Sequence, residues 1–232
     1  MDSQFSRTEI IIGQEKQNLL KSKTVAVFGI GGVGGYVVES LSRAGIENLI
    51  LVDNDTISIS NINRQIIALH STIGKYKVDV MKDRLLDINP NINVITYKTF
   101  IENNNSKEIL SAHKIDYIVD AIDTVSSKLE LIKFANELNI PIISSMGTGN
   151  KMDPSKLKIT DIRKTSYDPL AKKIRKLVND ERINGKVMVV CSDEQGKVKI
   201  DKEIPSNSFV PATAGLVCAS FVINDIVGDI NV

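Results

Sequence analysis

Two segments near the N-terminus carry residue types and spacings that could do chemistry on a nucleotide. The first is Gly29-Ile30-Gly31-Gly32-Val33-Gly34, directly after the apolar run Thr24-Val25-Ala26-Val27-Phe28. The second begins at Asp53-Asn54-Asp55 and continues through Asn61-Ile62-Asn63-Arg64-Gln65 to Lys75-Tyr76-Lys77. The glycines place a phosphate on a helix N-terminus, where unpaired N–H groups and the helix dipole favour an anion. The polar and cationic set points to attack on the α-phosphate of that nucleotide rather than to hydride transfer at a nicotinamide.

Gly29, Gly31 and Gly34 satisfy Gly-x-Gly-x-x-Gly between a strand and a helix, the context this pattern needs. The first allows a tight turn, the second a close approach of backbone to phosphate, and the third close packing of helix on strand. Asp53 ends the next strand, 24 residues beyond Gly29, and is placed to accept hydrogen bonds from ribose hydroxyls. These features alone fit NAD as well as ATP. Arg64 and Lys77, 13 residues apart, separate the two. Arginine supplies a planar fork for phosphate oxygens and lysine a point charge. At the rim of a nucleotide pocket they would neutralise a triphosphate. They would also stabilise the charge that develops as pyrophosphate leaves. Taken singly, either could equally be part of a solvated loop. Further on, Asp120 and Asp123 close a strand at the sheet edge where ligands of open α/β folds bind. Asp123, beyond the strand end, is the candidate magnesium ligand, because magnesium prefers oxygen and keeps several waters. Asp120 could instead cap the following helix or loop.

The elements that must position these residues read as an alternation. A short helix is expected over Glu9–Leu20, then strands over Thr24–Gly29 and Asn48–Asp53 with a helix from Val33 to Ala44 between them, closed by Gly45. Asn54 to Gly74 is a long polar connection, and such loops are often functional. Helices follow over Lys77–Ile88, Ser106–Ala112 and Val125–Leu138, and strands over Val94–Tyr97, Asp116–Asp120 and Pro141–Met146. This order predicts a Rossmann-like, doubly wound, mostly parallel α/β sheet. Beyond Gly147 the pattern changes. Strands over Leu157–Ile162, Lys186–Cys191 and Val198–Ile200, helices over Pro169–Asp180 and Ala212–Ile226, continue the sheet with antiparallel strands. No linker composition divides the chain, so residues 1–232 read as one domain, with a nucleotide-binding half (5–150) and a substrate-facing half (151–232).

Composition narrows the class. The 232 residues are 42% hydrophobic and 25% charged, an ordinary soluble balance, and the net charge of +1 sets up no global attraction to nucleic acid or membrane. Two cysteines without Cys-x-x-Cys exclude an intrachain disulfide framework or a four-cysteine zinc site, and no zinc is expected. The N-terminus lacks the apolar core of a signal peptide, and the run Leu216–Ile223 is too short to span a bilayer. A cytoplasmic protein is expected.

Together these residues resemble the ubiquitin-activating-enzyme-like superfamily of adenylating enzymes, over roughly residues 5 to 150. The resemblance implies an ATP site formed by Gly29, Gly31, Gly32, Gly34, Asp53, Asp55, Asn61, Arg64, Gln65, Lys77 and Asp123, with Arg64, Lys77 and Asp123 in the chemistry. It also implies that Arg7 reaches the partner subunit's ATP, and so a homodimer. The second half resembles one branch, the tRNA threonylcarbamoyladenosine dehydratases. The matching segments are Ser144 to Gly149, Met152-Asp153-Pro154, Asp161 to Thr165, Asp168-Pro169-Leu170-Ala171, Cys191-Ser192-Asp193-Glu194 and Phe209 to Gly215. That branch implies activation of a threonyl carboxylate on tRNA adenosine 37 by ATP, followed by ring closure with loss of water. The other reading kept open is an adenylating activator of a small ubiquitin-like sulfur-carrier protein. An NAD-dependent oxidoreductase fits less well, since it leaves Arg64, Lys77 and Asp123 without a role. Docking of a cysteine-desulfurase or sulfur-acceptor protein is left open.

Two further features bear on substrate. Lys172, Lys173, Arg175 and Lys176 fall opposite the apolar stripe Leu170, Ile174, Leu177 and Val178, and with Arg163 and Lys164 form the densest basic patch in the chain. Such a patch would give salt-dependent tRNA contact. Cys218 lies in an apolar run and reads as core. Cys191 is read as structural too, because ring closure needs only a nucleophile already on the substrate.

Overall fold

A computed structural model of the chain describes residues 3–102, 105–199 and 203–229. Its elements run α1 (Ser6–Ile12), α2 (Gln14–Ser22), β1 (Thr24–Phe28), α3 (Gly34–Ala44), β2 (Asn48–Val52), α4 (Lys77–Ile88) and β3 (Asn93–Tyr97). They continue through α5 (Asn105–Ala112), β4 (Tyr117–Asp120), α6 (Val125–Glu137), β5 (Ile142–Ser145), β6 (Leu157–Asp161), α7 (Pro169–Asp180), β7 (Met188–Ser192) and α8 (Val210–Ile226). The strands form one seven-stranded sheet in the order β3-β2-β1-β4-β5-β7-β6.

The central strands are apolar on both faces, as a sheet covered by helices on both sides requires. In β1, Val25 and Val27 enter one core with Val37, Leu41, Met81, Leu85 and Cys218, while Ala26 and Phe28 enter the other with Ile109, Leu131, Ile132, Ile174 and Val178. Helices α3, α4 and α8 therefore cover one face, and α5, α6 and α7 the other. Phe28 pairs with Val52 on one side and Asp120 on the other, both parallel. The chain winds outward from β1 to β3 and then returns to β4 beside β1. The crevice at the C-terminal ends of β1 and β4 is thus the point where winding reverses, and ligands of such sheets bind there.

Three expectations are corrected. The single helix over Glu9–Leu20 is two, because Gly13 at φ 84° and ψ 157° breaks it between α1 and α2. The antiparallel continuation of the sheet is present at its edge, where β6 runs antiparallel to β7, while β7 itself pairs parallel with β5. Val198 and Lys199 lie in no strand, and Ile200 is outside the described residues. The final helix begins at Val210, two residues before the expected Ala212, because Pro211 suits a first helical turn, where its missing N–H costs no bond. No described helix is long and apolar enough to cross a membrane.

Candidate active site

A cavity of about 690 Å³ opens at this switch point. One wall is made by the glycine turn. Gly29 takes φ +86°, a left-handed conformation costly for other residues, and a Cβ there would come within 2.7 Å of the Ala121 carbonyl oxygen. At Gly34 a Cβ would overlap the Gly29 carbonyl oxygen. The turn therefore exists in this shape only with glycine at both positions. It delivers the start of α3 to the cavity with no side chain capping that end. The unpaired amides and the positive end of the helix dipole remain for an anion.

Asp53 follows β2 and is pinned by two amides: Ile30 N–H donates to its Oδ2 at 2.6 Å and Asp55 N–H to its Oδ1 at 2.8 Å. Burial raises the Asp53 pKa; Lys77 and the two amides oppose that shift without cancelling it. Lys77 opens α4 and is itself buried, with Nζ 2.6 Å from Asp55 Oδ2 and 3.9 Å from Asp53 Oδ2. Lys77, expected from the sequence as a cation at the pocket rim, lines the cavity as an enclosed charge held between two carboxylates. The connection between β2 and α4 is ordered by its own polar groups. Asn61 Oδ1 accepts from Ser58 N–H, and the Asn61 carbonyl accepts from the amides of Arg64 and Gln65. Arg64 donates through Nη1 to the Ser60 carbonyl and to Asn63 Oδ1, and its aliphatic stem lies beside Gly32 at the cavity. Asp123 is exposed on the loop between β4 and α6 and lines the same cavity.

The cavity thus gathers Gly29, Gly31, Gly32, Asp53, Asp55, Asn61, Arg64, Gln65, Lys77 and Asp123. Gly34 lies behind this surface, at the first turn of α3. Arg7 is exposed on α1 and does not line the cavity of its own chain. Of the basic patch, Lys173 alone reaches the cavity. Lys164, Lys172 and Lys176 are exposed outside it. Arg163 is committed to Asp161 and to the carbonyls of Ile183 and Gly185, and Arg175 to the carbonyl and hydroxyl of Thr165. Those two arginines fasten β6 and α7 to their surroundings, which leaves the lysines as the exposed charge.

Asp120 is fully buried. Lys128 Nζ, also fully buried, donates to its Oδ2 at 2.7 Å and to the Ser145 carbonyl at 2.9 Å, and Ser144 Oγ donates to the same carboxylate oxygen at 2.7 Å. Asp120 also accepts the Ile122 amide at 3.1 Å, a loop cap. Asp120 thus braces the cavity from behind, while Asp123 lines it. The sequence named Asp120 without its lysine, since a buried Lys128 eight positions along a helix carries no local signal.

The opposite wall comes from the second half. Lys151, Asp168 and Lys173 line it together with the exposed Tyr167. The segment before α8 fastens this wall to the nucleotide loop, with Asn63 Nδ2 donating to the Ser206 carbonyl at 3.1 Å and Asn207 Nδ2 to the Lys151 carbonyl at 2.7 Å. Glu194, also buried, accepts the amides of Met152 and Asp153 at 2.9 and 2.8 Å and pairs with Lys197 at 3.0 Å. Burial alone would raise its pKa, but those two amides and the Lys197 ammonium outweigh it and hold the carboxyl at about 2. Cys191 and Cys218 are both buried, and loss of hydration pushes their thiols up to about 11 and about 12. Neither is the exposed, low-pKa thiolate that a nucleophile requires.

A mostly parallel sheet with an uncapped helix end, a buried acid after β2 and two cations at its switch point defines an α/β protein suited to binding a nucleotide. The chain belongs to the ThiF family, whose model matches residues 5–225. It is 42% identical to the tRNA threonylcarbamoyladenosine dehydratase of Bacillus subtilis, over 99% of this chain and 96% of that protein. Among solved structures it is similar to the Escherichia coli tRNA N6-threonylcarbamoyladenosine dehydratase in complex with AMP, with a TM-score of 0.92 and 33% identity over 97% of this chain and 94% of that one. The ATP complex of the same E. coli enzyme gives a TM-score of 0.90 at 32% identity, with the same coverage.

Proposed function

We propose that this chain is an ATP-dependent tRNA threonylcarbamoyladenosine dehydratase. The observation that carries the reading is one cavity in which the phosphate turn and the Arg64–Lys77 cations face a second wall of polar side chains. ATP would lie with its phosphates at the start of α3 and its ribose at Asp53. Arg64 and Lys77 would stabilise the charge on the α-phosphate as the substrate carboxylate attacks it and pyrophosphate departs. The activated carboxylate would then close to a ring within the substrate, with loss of AMP.

Magnesium fits the donor set. Among the described residues no three metal-ligating side chains cluster, so a metal here would rest on one carboxylate, phosphate oxygens and water, the usual mode for magnesium. Asp123 would be that carboxylate, and the ion would supply neutralisation of phosphate charge. The chain would act as a homodimer, with Arg7 reaching the nucleotide of the partner subunit. Its exposure on α1, beside Ile10 and Ile11 at 84% exposure each, supports that role. The tRNA would lie along Lys164, Lys172, Lys173 and Lys176.

The test is the dependence of ATP cleavage on tRNA. Pyrophosphate release should require tRNA carrying the threonylcarbamoyl group, and tRNA lacking it should give background rates. Release driven instead by the C-terminus of a small carrier protein would replace this reading with a carrier activator.

A further inference from the structure

The second wall contains two charged groups that the adenylation chemistry does not use. Asp168 is 3% exposed. Its Oδ1 caps α7 by accepting the Ala171 amide at 2.9 Å, but its Oδ2 is buried and accepts no hydrogen bond from a described residue. That oxygen lies over Gly147 so closely that a Cβ there would come within 3.0 Å of it. Lys151 is 5% exposed, and among the described residues the one acceptor of its ammonium is the Glu194 carbonyl, at 2.8 Å. Both residues line the cavity. A buried ion with unused hydrogen-bonding capacity is costly, and a fold that keeps two of them in a ligand cavity calls for a ligand that completes them.

The group this wall would meet, on the dehydratase reading, is a threonylcarbamoyl unit. It carries one carboxylate and a urea with two N–H donors. The charges are complementary: an ammonium for the carboxylate, a carboxylate oxygen for a urea N–H.

We propose that Lys151 and Asp168 form the subsite for the threonylcarbamoyl group, and that Asp168 Oδ2 takes the proton released on ring closure. The proposal rests on the dehydratase reading. Once the acyl adenylate has formed, the urea forms a bond to the acyl carbon and the acyl–oxygen bond to AMP breaks, AMP leaving as its anion. Whichever urea atom closes the ring, one urea N–H gives up its proton, and Asp168 Oδ2 is the acceptor. Lys151 acts earlier, holding the free carboxylate for attack on ATP.

Asp168→Asn tests this directly, because asparagine caps a helix as well as aspartate does and α7 should persist. In single turnovers with ATP, magnesium and saturating threonylcarbamoyl-bearing tRNA, pyrophosphate release by the variant should slow far less than ring closure does. Ring closure and AMP release should slow roughly 100-fold, within the range for losing a general base. Lys151→Gln should instead raise the apparent KM for tRNA in pyrophosphate release about tenfold, with the KM for ATP unchanged. Wild-type ring closure by Asp168→Asn overturns the proton-acceptor role, and equal loss of both steps overturns it too, since Asp168 would then serve adenylation or folding. An unchanged tRNA KM for Lys151→Gln removes Lys151 from the subsite. If wild type itself releases no pyrophosphate with that tRNA, the dehydratase reading fails first, which the wild-type arm shows before any variant is compared.

Discussion

The two walls of the cavity are built on different principles. The wall proposed to face the nucleotide comes from contiguous stretches, residues 29–34 and 53–77, and works through backbone: glycines that admit no Cβ, an uncapped helix end, amides that pin Asp53. Its cation is balanced in advance, with Lys77 between Asp53 and Asp55. The facing wall is assembled from three separate segments around Lys151, Asp168 and Glu194 and works through side chains. A nucleotide phosphate is the same in every member of such a fold, so a fixed backbone cradle serves. A substrate differs from case to case, and side chains on long-range supports are what can be changed. Behind both walls, Asp120 and Lys128 do not line the cavity but brace its floor through the Ser145 carbonyl.

That floor gives the largest expected effect. Lys128→Met should destabilise the protein by about 3–5 kcal/mol, because it leaves a buried carboxyl at Asp120 without its counter-charge. Denaturant melts would check this, and a loss under 1 kcal/mol would mean that the pair is not the support proposed.

Next come the two cations of the nucleotide wall, which the geometry separates. Arg64→Ala should cost about 10²- to 10³-fold in turnover with stability nearly unchanged, since its bonds are to local loop groups. Lys77→Ala should lose turnover similarly and stability as well, because Asp53 and Asp55 lose the charge between them. Parallel kinetics and melts on both variants sharpen the comparison, and wild-type rates in either would break the site assignment.

A pH titration probes the second wall. The Glu194 carboxyl sits at about 2 in the folded protein against an ordinary 4.5. A depressed folded pKa contributes stability that is full above the unfolded value and is lost as pH falls through the folded one. The Tm gap between wild type and Glu194→Gln should therefore be widest at neutral pH and close between 4.5 and about 2. A gap independent of pH would show that Met152, Asp153 and Lys197 do not hold the carboxylate as described. The smallest effect is expected at the exposed lysines of α7. Charge reversal at Lys172, Lys173 and Lys176 together should raise the KM for tRNA severalfold and reduce its salt dependence, with ATP binding unaffected.

The same contrast explains what could be read from the sequence. The glycine turn, Asp53, Arg64, Lys77 and Asp123 were legible because each sits at a fixed offset from a strand end, and the structure places all of them at one cavity. The parallel order of strands followed from their alternation with helices. What escaped was long-range. The pairing of β7 with β5 depends on a return of the chain that no local pattern encodes. Asp168 was visible only as part of a segment, because a cap reads the same whether or not its second oxygen is left free. Arg163 and Arg175 looked like free charge because the carbonyls that take up their guanidiniums lie up to 22 residues away.

One measurement addresses the central claim most directly: nucleoside mass analysis after incubating the protein with ATP, magnesium and tRNA bearing open threonylcarbamoyladenosine, with a control lacking ATP. The account predicts that the modified nucleoside loses the mass of one water only when ATP is present. An unchanged nucleoside from protein that binds ATP would contradict it, and would return the nucleotide site to a different acyl acceptor.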